Sequence, residues 1–314
     1  MQHHVVIGSG PVGSGIAKRL AEDGTPVTVL TRSGTGPSHS LITKVKTDAT
    51  DASALVSAST GAAVIYNCVN PPYHQWETAW PPLHNAMMTA AERTGAILVM
   101  MDNLYGFGPG TPMPMHEADP TNAKGPKGAT RARMETELLA AHAAGKLRAT
   151  FARASDFYGP GVLDAALGSR AWPKILAGKK VALLGSLDVP RSYSYMPDAV
   201  TTMITIAADE RAWGKPWHVP NTAPVTQRQA VETLAAAAGT QVRCSSVPRG
   251  VIKAMGLFNP MMKALLETWY QFDSLWITNS THTEQMFNLQ ATSLAQGALE
   301  TAAWWRSRSA KGTQ

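Results

Sequence analysis

Cysteine is nearly absent: Cys68 and Cys244 are the only two in 314 residues, at a spacing that suits neither a metal site nor a disulfide framework. A reducing, cytoplasmic setting follows as the expectation. Charge is sparse too, at 16 % of residues, and like charges never run beyond a pair such as Lys179-Lys180. The net charge of +6 is therefore scattered, which argues against a nucleic-acid stripe and for a diffuse field that favours anionic small ligands. No apolar run approaches the roughly twenty residues of a spanning helix, and the first residues lack the pattern of a signal peptide. Neither a membrane nor a nucleic acid is expected as a partner. Histidines offer no metal: His3, His4, His39 and His116 lack the spacing of a zinc site. What remains is a chain that is 44 % hydrophobic, the composition of a packed globule.

The strongest positive feature lies at the start. Val5-Val6-Ile7 runs into Gly8-Ser9-Gly10-Pro11-Val12-Gly13 and then Ser14-Gly15-Ile16-Ala17-Lys18-Arg19-Leu20, which reads as strand, glycine turn and helix. In such a turn Gly8 permits the bend, Gly10 lets the backbone approach a pyrophosphate, and Gly13 lets the helix pack closely on the strand. The helix N-terminus then faces the phosphates. A second apolar strand, Val27-Thr28-Val29-Leu30, follows where a βαβ unit needs it. After that strand come Thr31-Arg32-Ser33, with no acid to accept a ribose 2′-hydroxyl. The Arg32 guanidinium suits a 2′-phosphate, so NADP is favoured over NAD.

Further apolar β-type runs at 41–46, 63–67, 96–101 and 147–154 alternate with helical stretches at about 78–94 and 127–144. This alternation predicts an α/β fold with a doubly wound parallel Rossmann sheet. Beyond Tyr158 the pattern loosens into Gly159-Pro160-Gly161, a late strand around Trp217-His218-Val219, and an alanine-rich helix over 226–239 capped by Thr226. Residues 1–158 are expected to form the dinucleotide-binding domain. Residues 159–314 should form a smaller, partly helical substrate-binding lobe, interleaved with the last sheet strands. The Trp- and Met-rich stretch Met255 to Trp269, interrupted by Lys263 and Glu267, reads as a helical lid over an apolar pocket.

Several segments carry a likeness in order: Lys46-Thr47-Asp48-Ala49, Asn67-Cys68-Val69-Asn70-Pro71-Pro72, Leu104-Tyr105-Gly106, Arg153-Ala154-Ser155-Asp156-Phe157-Tyr158-Gly159-Pro160 and Tyr193-Ser194-Tyr195-Met196-Pro197-Asp198. Together with the glycine turn they resemble the extended short-chain dehydrogenase/reductases, often called NAD-dependent epimerase/dehydratases, and among them the atypical members. The resemblance spans nearly the whole chain. It implies that Asp48 lies beside the adenine, that the backbone of Asn67, Val69 and Asn70 lines the cofactor ribose, and that Ala154 and Ser155 border the cofactor. It also implies Asp156 near the nicotinamide, with Tyr158, Tyr193 and Tyr195 as walls and substrate contacts. The family often pairs through two long helices, so a homodimer through 78–94 and 127–144 is a further expectation.

The catalytic positions depart from that pattern. The family's Ser or Thr, four residues before the Tyr of Tyr-Gly, is Met101 here, which leaves a thioether lining the substrate site. The family's Tyr-x-x-x-Lys becomes Lys127 and Arg131. A thioether cannot orient a carbonyl, and an arginine cannot release a proton at ordinary pH. Lys127 and Arg131 share a helix face, where mutual repulsion would poise Lys127 for proton transfer; both could equally anchor the cofactor's ribose and phosphate. Asp102 and Tyr105, leaving the fifth strand where such sheets place ligands, could supply the missing acid and base, or could merely cap and pack the turn. The leading expectation is an NADP-dependent oxidoreductase exchanging hydride with a small carbonyl or alcohol. A non-catalytic NADP-sensing protein and a sugar-nucleotide epimerase or dehydratase are the alternatives.

Overall fold

The computed structural model describes residues 3–311. Its chain forms two compact units: one of residues 1–108, 118–154 and 199–218, the other of residues 109–117, 155–198 and 219–314. The interleaving arises because the chain returns to the first unit after Asp198, adding most of the helix Met196–Ala208 and the strand Pro216–His218 before leaving again.

The first unit is built on β1 (His3–Ile7), α1 (Pro11–Glu22), β2 (Val27–Thr31), β3 (Ile42–Lys46), α2 (Ala52–Ala58), β4 (Ala62–Asn67), α3 (Trp76–Thr94), β5 (Ile97–Asn103), α4 (Pro126–Ala143) and β6 (Arg148–Ala154). Seven strands form one sheet in the order Pro216–His218, β6, β5, β4, β1, β2, β3, with every pairing parallel. The doubly wound sheet read from the sequence is therefore present. Its order reverses between β1 and β4, which opens a crevice at their carboxyl ends. Register is continuous there, with Ile7 opposite Asn67 and Asn67 opposite Met100.

Alternation of strands and helices works because the inner strands are buried on both sides, while the edge strand β3 exposes Thr43, Lys44 and Lys46. One apolar core joins Val5, Ile65, Leu98 and Phe151 of the sheet to Leu55 of α2, Trp80 and Met87 of α3, and Met134 and Leu138 of α4. On the side of α1, a Cβ at Gly15 would lie 2.7 Å from Val200 Cγ2, so a missing side chain sets how closely that helix and Met196–Ala208 pack.

The second unit has its own core of Tyr158, Leu167, Trp172, Ile175, Val181, Val231, Leu234 and Trp305. Short parallel pairs join Asp156–Tyr158 to Tyr193–Tyr195 and Val181–Leu184 to Cys244–Val247. The expected alanine-rich helix runs Gln227–Ala237, and Thr226 caps it in a reciprocal box with Gln229. Among the described residues no helix is long and apolar enough to cross a membrane.

Candidate active site

The glycine turn is shaped for an anion. Gly8 has φ +97°, a conformation few side chains adopt, and a Cβ there would sit 2.9 Å from the carbonyl oxygen of Cys68. A Cβ at Gly13 would stand 2.0 Å from the Gly8 carbonyl oxygen, so α1 reaches this close to β1 only without one. Gly10 is the opposite case, because a Cβ there meets nothing within 4 Å. That open space lies at the N-terminus of α1, which has no side-chain cap and no acid in its first turn. Asn67, fully buried, accepts the Val69 N–H at 3.0 Å and leaves its buried Nδ2 without a hydrogen-bond partner. These features fit a dinucleotide diphosphate, with Pro11 and Val12 supplying first-turn backbone. Behind the turn, burial pushes the Cys68 thiol well above the usual range.

The far end of the crevice holds Arg32 just past β2, exposed, beside Thr31, which pairs in register with Lys46 of β3. Asp48 is exposed and turned toward its own loop: its Oδ1 accepts the Thr50 N–H and hydroxyl, both at 2.9 Å. Those bonds, with a smaller contribution from Arg32, hold its carboxyl below the usual range. Asn70 is exposed.

At the carboxyl end of β5 the structure assembles residues that the spacing alone does not connect. Tyr73 lies in a single turn of 3-10 helix before α3, and with Trp76 and Trp80 it forms an aromatic stripe at helical spacing. Along it runs the cationic stripe of α4: Lys127 Nζ lies 4.9 Å from the centre of the Tyr73 ring, and the Arg131 guanidinium stacks at 4.6 Å from Trp76 and 4.0 Å from Trp80. Gly128 makes this approach feasible, since a Cβ there would come within 2.5 Å of the Tyr105 carbonyl oxygen. Tyr105 is held by an Asx turn, its N–H donating to Asn103 Oδ1 at 3.0 Å, and its hydroxyl accepts from the Tyr73 hydroxyl at 3.5 Å.

Two of the expected site residues meet each other here. Arg131 is buried at 4 % exposure and pairs with Asp102 at 3.1 Å. Asp102 is correspondingly the counter-ion of Arg131, and its Oδ1 also accepts the Asn103 N–H at 2.7 Å. Burial pushes the Asp102 carboxyl up, against the pull of Arg131. A second buried pair, Arg153 with Glu135, lies alongside, and burial likewise raises Glu135. Further along α3, His84 is buried and held neutral, pulled down to about 4 by burial and by the charges of Arg131 and Arg133; half-exposed Glu137, 3.5 Å away, does not offset them. Met101, partly buried on β5, lies opposite Ala152.

Ala154 ends β6 in this unit. The remaining expected contacts belong to the second unit. There the Ser155 N–H donates to Ser194 Oγ at 2.8 Å, and Asp156 pairs with Arg191 at 3.0 Å. Tyr158, Tyr193 and Tyr195 are all buried, and Tyr195 donates its hydroxyl proton to Glu300. Burial pushes all three phenols up. The sequence points to Trp76 as a residue bordering the pocket after the Pro71-Pro72 turn, but not to Tyr73 or Trp80. Their one available signal is the spacing 73, 76, 80, which also suits a plain core stripe.

A family model for the NAD dependent epimerase/dehydratase family matches residues 5–219. The chain belongs to that family. A search of curated protein sequences gave no match. Solved structures of similar fold include an epimerase from the methanogen Methanothermobacter thermautotrophicus, with a TM-score of 0.82 at 15 % identity over 99 % of this chain and 94 % of that one. UDP-glucose 4-epimerase from Thermotoga maritima, solved with UDP-glucose, gives 0.80 at 16 % over 98 % and 99 %. The dTDP-glucose 4,6-dehydratase of Bacillus anthracis, in complex with NAD, gives 0.79 at 16 % identity over the full length of both chains. At such identities the likeness establishes the NAD(P)-binding Rossmann-type fold.

Proposed function

We propose that this family member is an NADP-dependent oxidoreductase acting on a small carbonyl or alcohol, with proton transfer moved from the missing Tyr-x-x-x-Lys pair to Tyr105 and Lys127. The observation that carries this reading is the phenol pair at the end of β5: Tyr105 and Tyr73 hydroxyls 3.5 Å apart, with the Lys127 ammonium over the Tyr73 ring. A phenol beside an ammonium is the acid–base device of which sequence spacing shows no trace. Tyr105 Oη would pass a proton to or from the substrate oxygen, and Tyr73 Oη would replenish it. Lys127 sets its ammonium over the Tyr73 ring beside this phenol pair, and Arg131, stacked on two indoles and neutralised by Asp102, holds α4 against α3. The cofactor, when bound, supplies or takes the hydride. Gly8 to Gly13 would hold its diphosphate, Asn67 its neighbouring ribose, and Arg32 the 2′-phosphate.

Tyr105→Phe should lower kcat by roughly a hundredfold or more while leaving NADPH affinity within about twofold. Turnover by Tyr105→Phe at the wild-type rate would remove the phenol from the mechanism. Arg32→Glu should weaken NADPH binding by about ten- to a hundredfold and spare NADH, as expected for loss of a charge-assisted phosphate contact. Fluorescence titration of both nucleotides reads this directly, and an unchanged preference would sink the assignment of Arg32 to the 2′-phosphate.

A second reading, interconversion of a sugar nucleotide without net redox change, is favoured by the sugar-nucleotide enzymes among the structural neighbours. Against it stand Met101 and Lys127 at the positions of the usual hydroxyl groups. Substrate-dependent loss of NADPH absorbance supports the first reading; product formation from a sugar nucleotide at constant NADPH supports the second. Nucleotide binding with neither outcome would leave the cofactor-sensing alternative.

A further inference from the structure

Six large hydrophobic side chains are strongly exposed among the described residues, and four of them lie on one hairpin: Val251 at 46 %, Met255 at 49 %, Leu257 at 77 % and Phe258 at 91 % exposure. The stretch expected to cover an apolar pocket thus presents its largest apolar groups to solvent. The hairpin joins the helices Arg249–Met255 and Pro260–Leu265 through a tight turn. This turn is built, not loose. The Gly256 N–H donates to the Ile252 carbonyl at 2.8 Å, the Asn259 N–H to the Met255 carbonyl at 3.1 Å, and the Asn259 side chain caps the second helix through the N–H groups of Met261 and Met262. Ile252 and Leu265 anchor the inner side, both buried. Leu257 and Phe258 are therefore held outward at the apex by a fixed backbone.

The hairpin's own charges have one sign. Arg249, Lys253 and Lys263 are exposed on the two helices, and no acid occurs from Arg249 through Leu266. A projecting apolar tip ringed by cations matches the boundary between anionic headgroups and acyl chains, where apolar side chains insert and ammonium and guanidinium groups meet lipid phosphates. A second copy of this chain fits less well. A two-fold contact would set the cations of one hairpin against those of the other, and four side chains fall far short of the roughly 800 Å² per partner that a stable interface buries.

We propose that the 249–265 hairpin is a peripheral docking element for anionic lipid bilayers, with Leu257 and Phe258 entering the interface and Arg249, Lys253 and Lys263 supplying the electrostatic attraction. This inference does not depend on the catalytic reading above. The test is flotation of the full-length protein with phosphatidylcholine vesicles, plain or containing about a third phosphatidylglycerol. Protein should float with the anionic vesicles and not with the neutral ones, and high salt should release it. Leu257→Ser/Phe258→Ser should reduce the bound fraction at least about tenfold, and Lys253→Glu/Lys263→Glu should do so with the apolar tip intact. Circular dichroism melts at the wild-type temperature establish that both variants are folded. Absence of the wild type from the anionic vesicles overturns the proposal, as does equal flotation with neutral ones. Concentration-dependent dimerisation abolished by Leu257→Ser/Phe258→Ser, without vesicle binding, overturns it in favour of a second copy.

Discussion

Replacing Arg131 by Leu should lower the unfolding free energy by about 3–5 kcal/mol, visible as a large drop in the denaturant midpoint. The guanidinium is buried, stacks on the rings of Trp76 and Trp80, and faces Asp102 at 3.1 Å. Leucine retains some apolar packing but strands the Asp102 carboxylate, whose remaining neighbours include a single backbone N–H from Asn103 and the more distant charge of Arg153. An uncompensated buried charge is the costly part, so Arg131→Leu/Asp102→Leu should recover most of the loss. Arg131→Lys should recover little, because a compact ammonium cannot cover two indole faces and reach the carboxylate in the same plane. Equal destabilisation of the single and double variants would mean that packing against the indoles, not charge compensation, organises this end of α4.

The same residue marks the boundary of what the sequence made legible. Strands at the apolar runs, the helix that grows out of the glycine turn, the cap at Thr226 and the parallel sheet follow from local patterns, because hydrophobic period and turn chemistry act over a few residues. Asp102 and Arg131 are 29 positions apart on a strand and a helix, and nothing local says that they meet. Before the partner is known, an aspartate leaving a strand reads equally as a proton donor, a turn cap or a counter-ion. Tyr73 is similarly silent: the Pro71-Pro72 turn announces a loop, while the approach of its ring to Lys127 depends on Gly128 letting α4 close on the Tyr105 backbone. The return of residues 199–218 to the first unit was foreseeable only in part, since the strand around Trp217 is visible but its neighbour, β6, is a tertiary choice. Met255 to Trp269 shows the limit of composition. An apolar stretch with interrupting charges suits a buried lid and a solvent-facing tip alike, and the difference lies in which side of a short hairpin Leu257 and Phe258 fall.

Two alanine substitutions three residues apart should separate folding from nucleotide binding. Gly13→Ala places a Cβ 2.0 Å from the Gly8 carbonyl oxygen, a backbone atom that cannot swing aside, so α1 must shift away from β1. The cost should be about 3 kcal/mol or more of stability, with pyridine-nucleotide affinity falling at least about a hundredfold as the first-turn N–H groups move. Gly10→Ala differs on both counts. Its φ of −65° is open to any residue and its added Cβ meets nothing within 4 Å, so stability should change by about 1 kcal/mol at most, the ordinary effect of alanine at a helix cap. Yet that empty volume is where the diphosphate must approach the backbone, so affinity should still fall steeply, by tenfold or more. Calorimetric titration beside a thermal melt distinguishes the cases. A Gly10→Ala protein that melts normally and binds NADPH as the wild type does would show that the open volume at the start of α1 holds no phosphate, and the hydride chemistry proposed for this chain would lose its cofactor site.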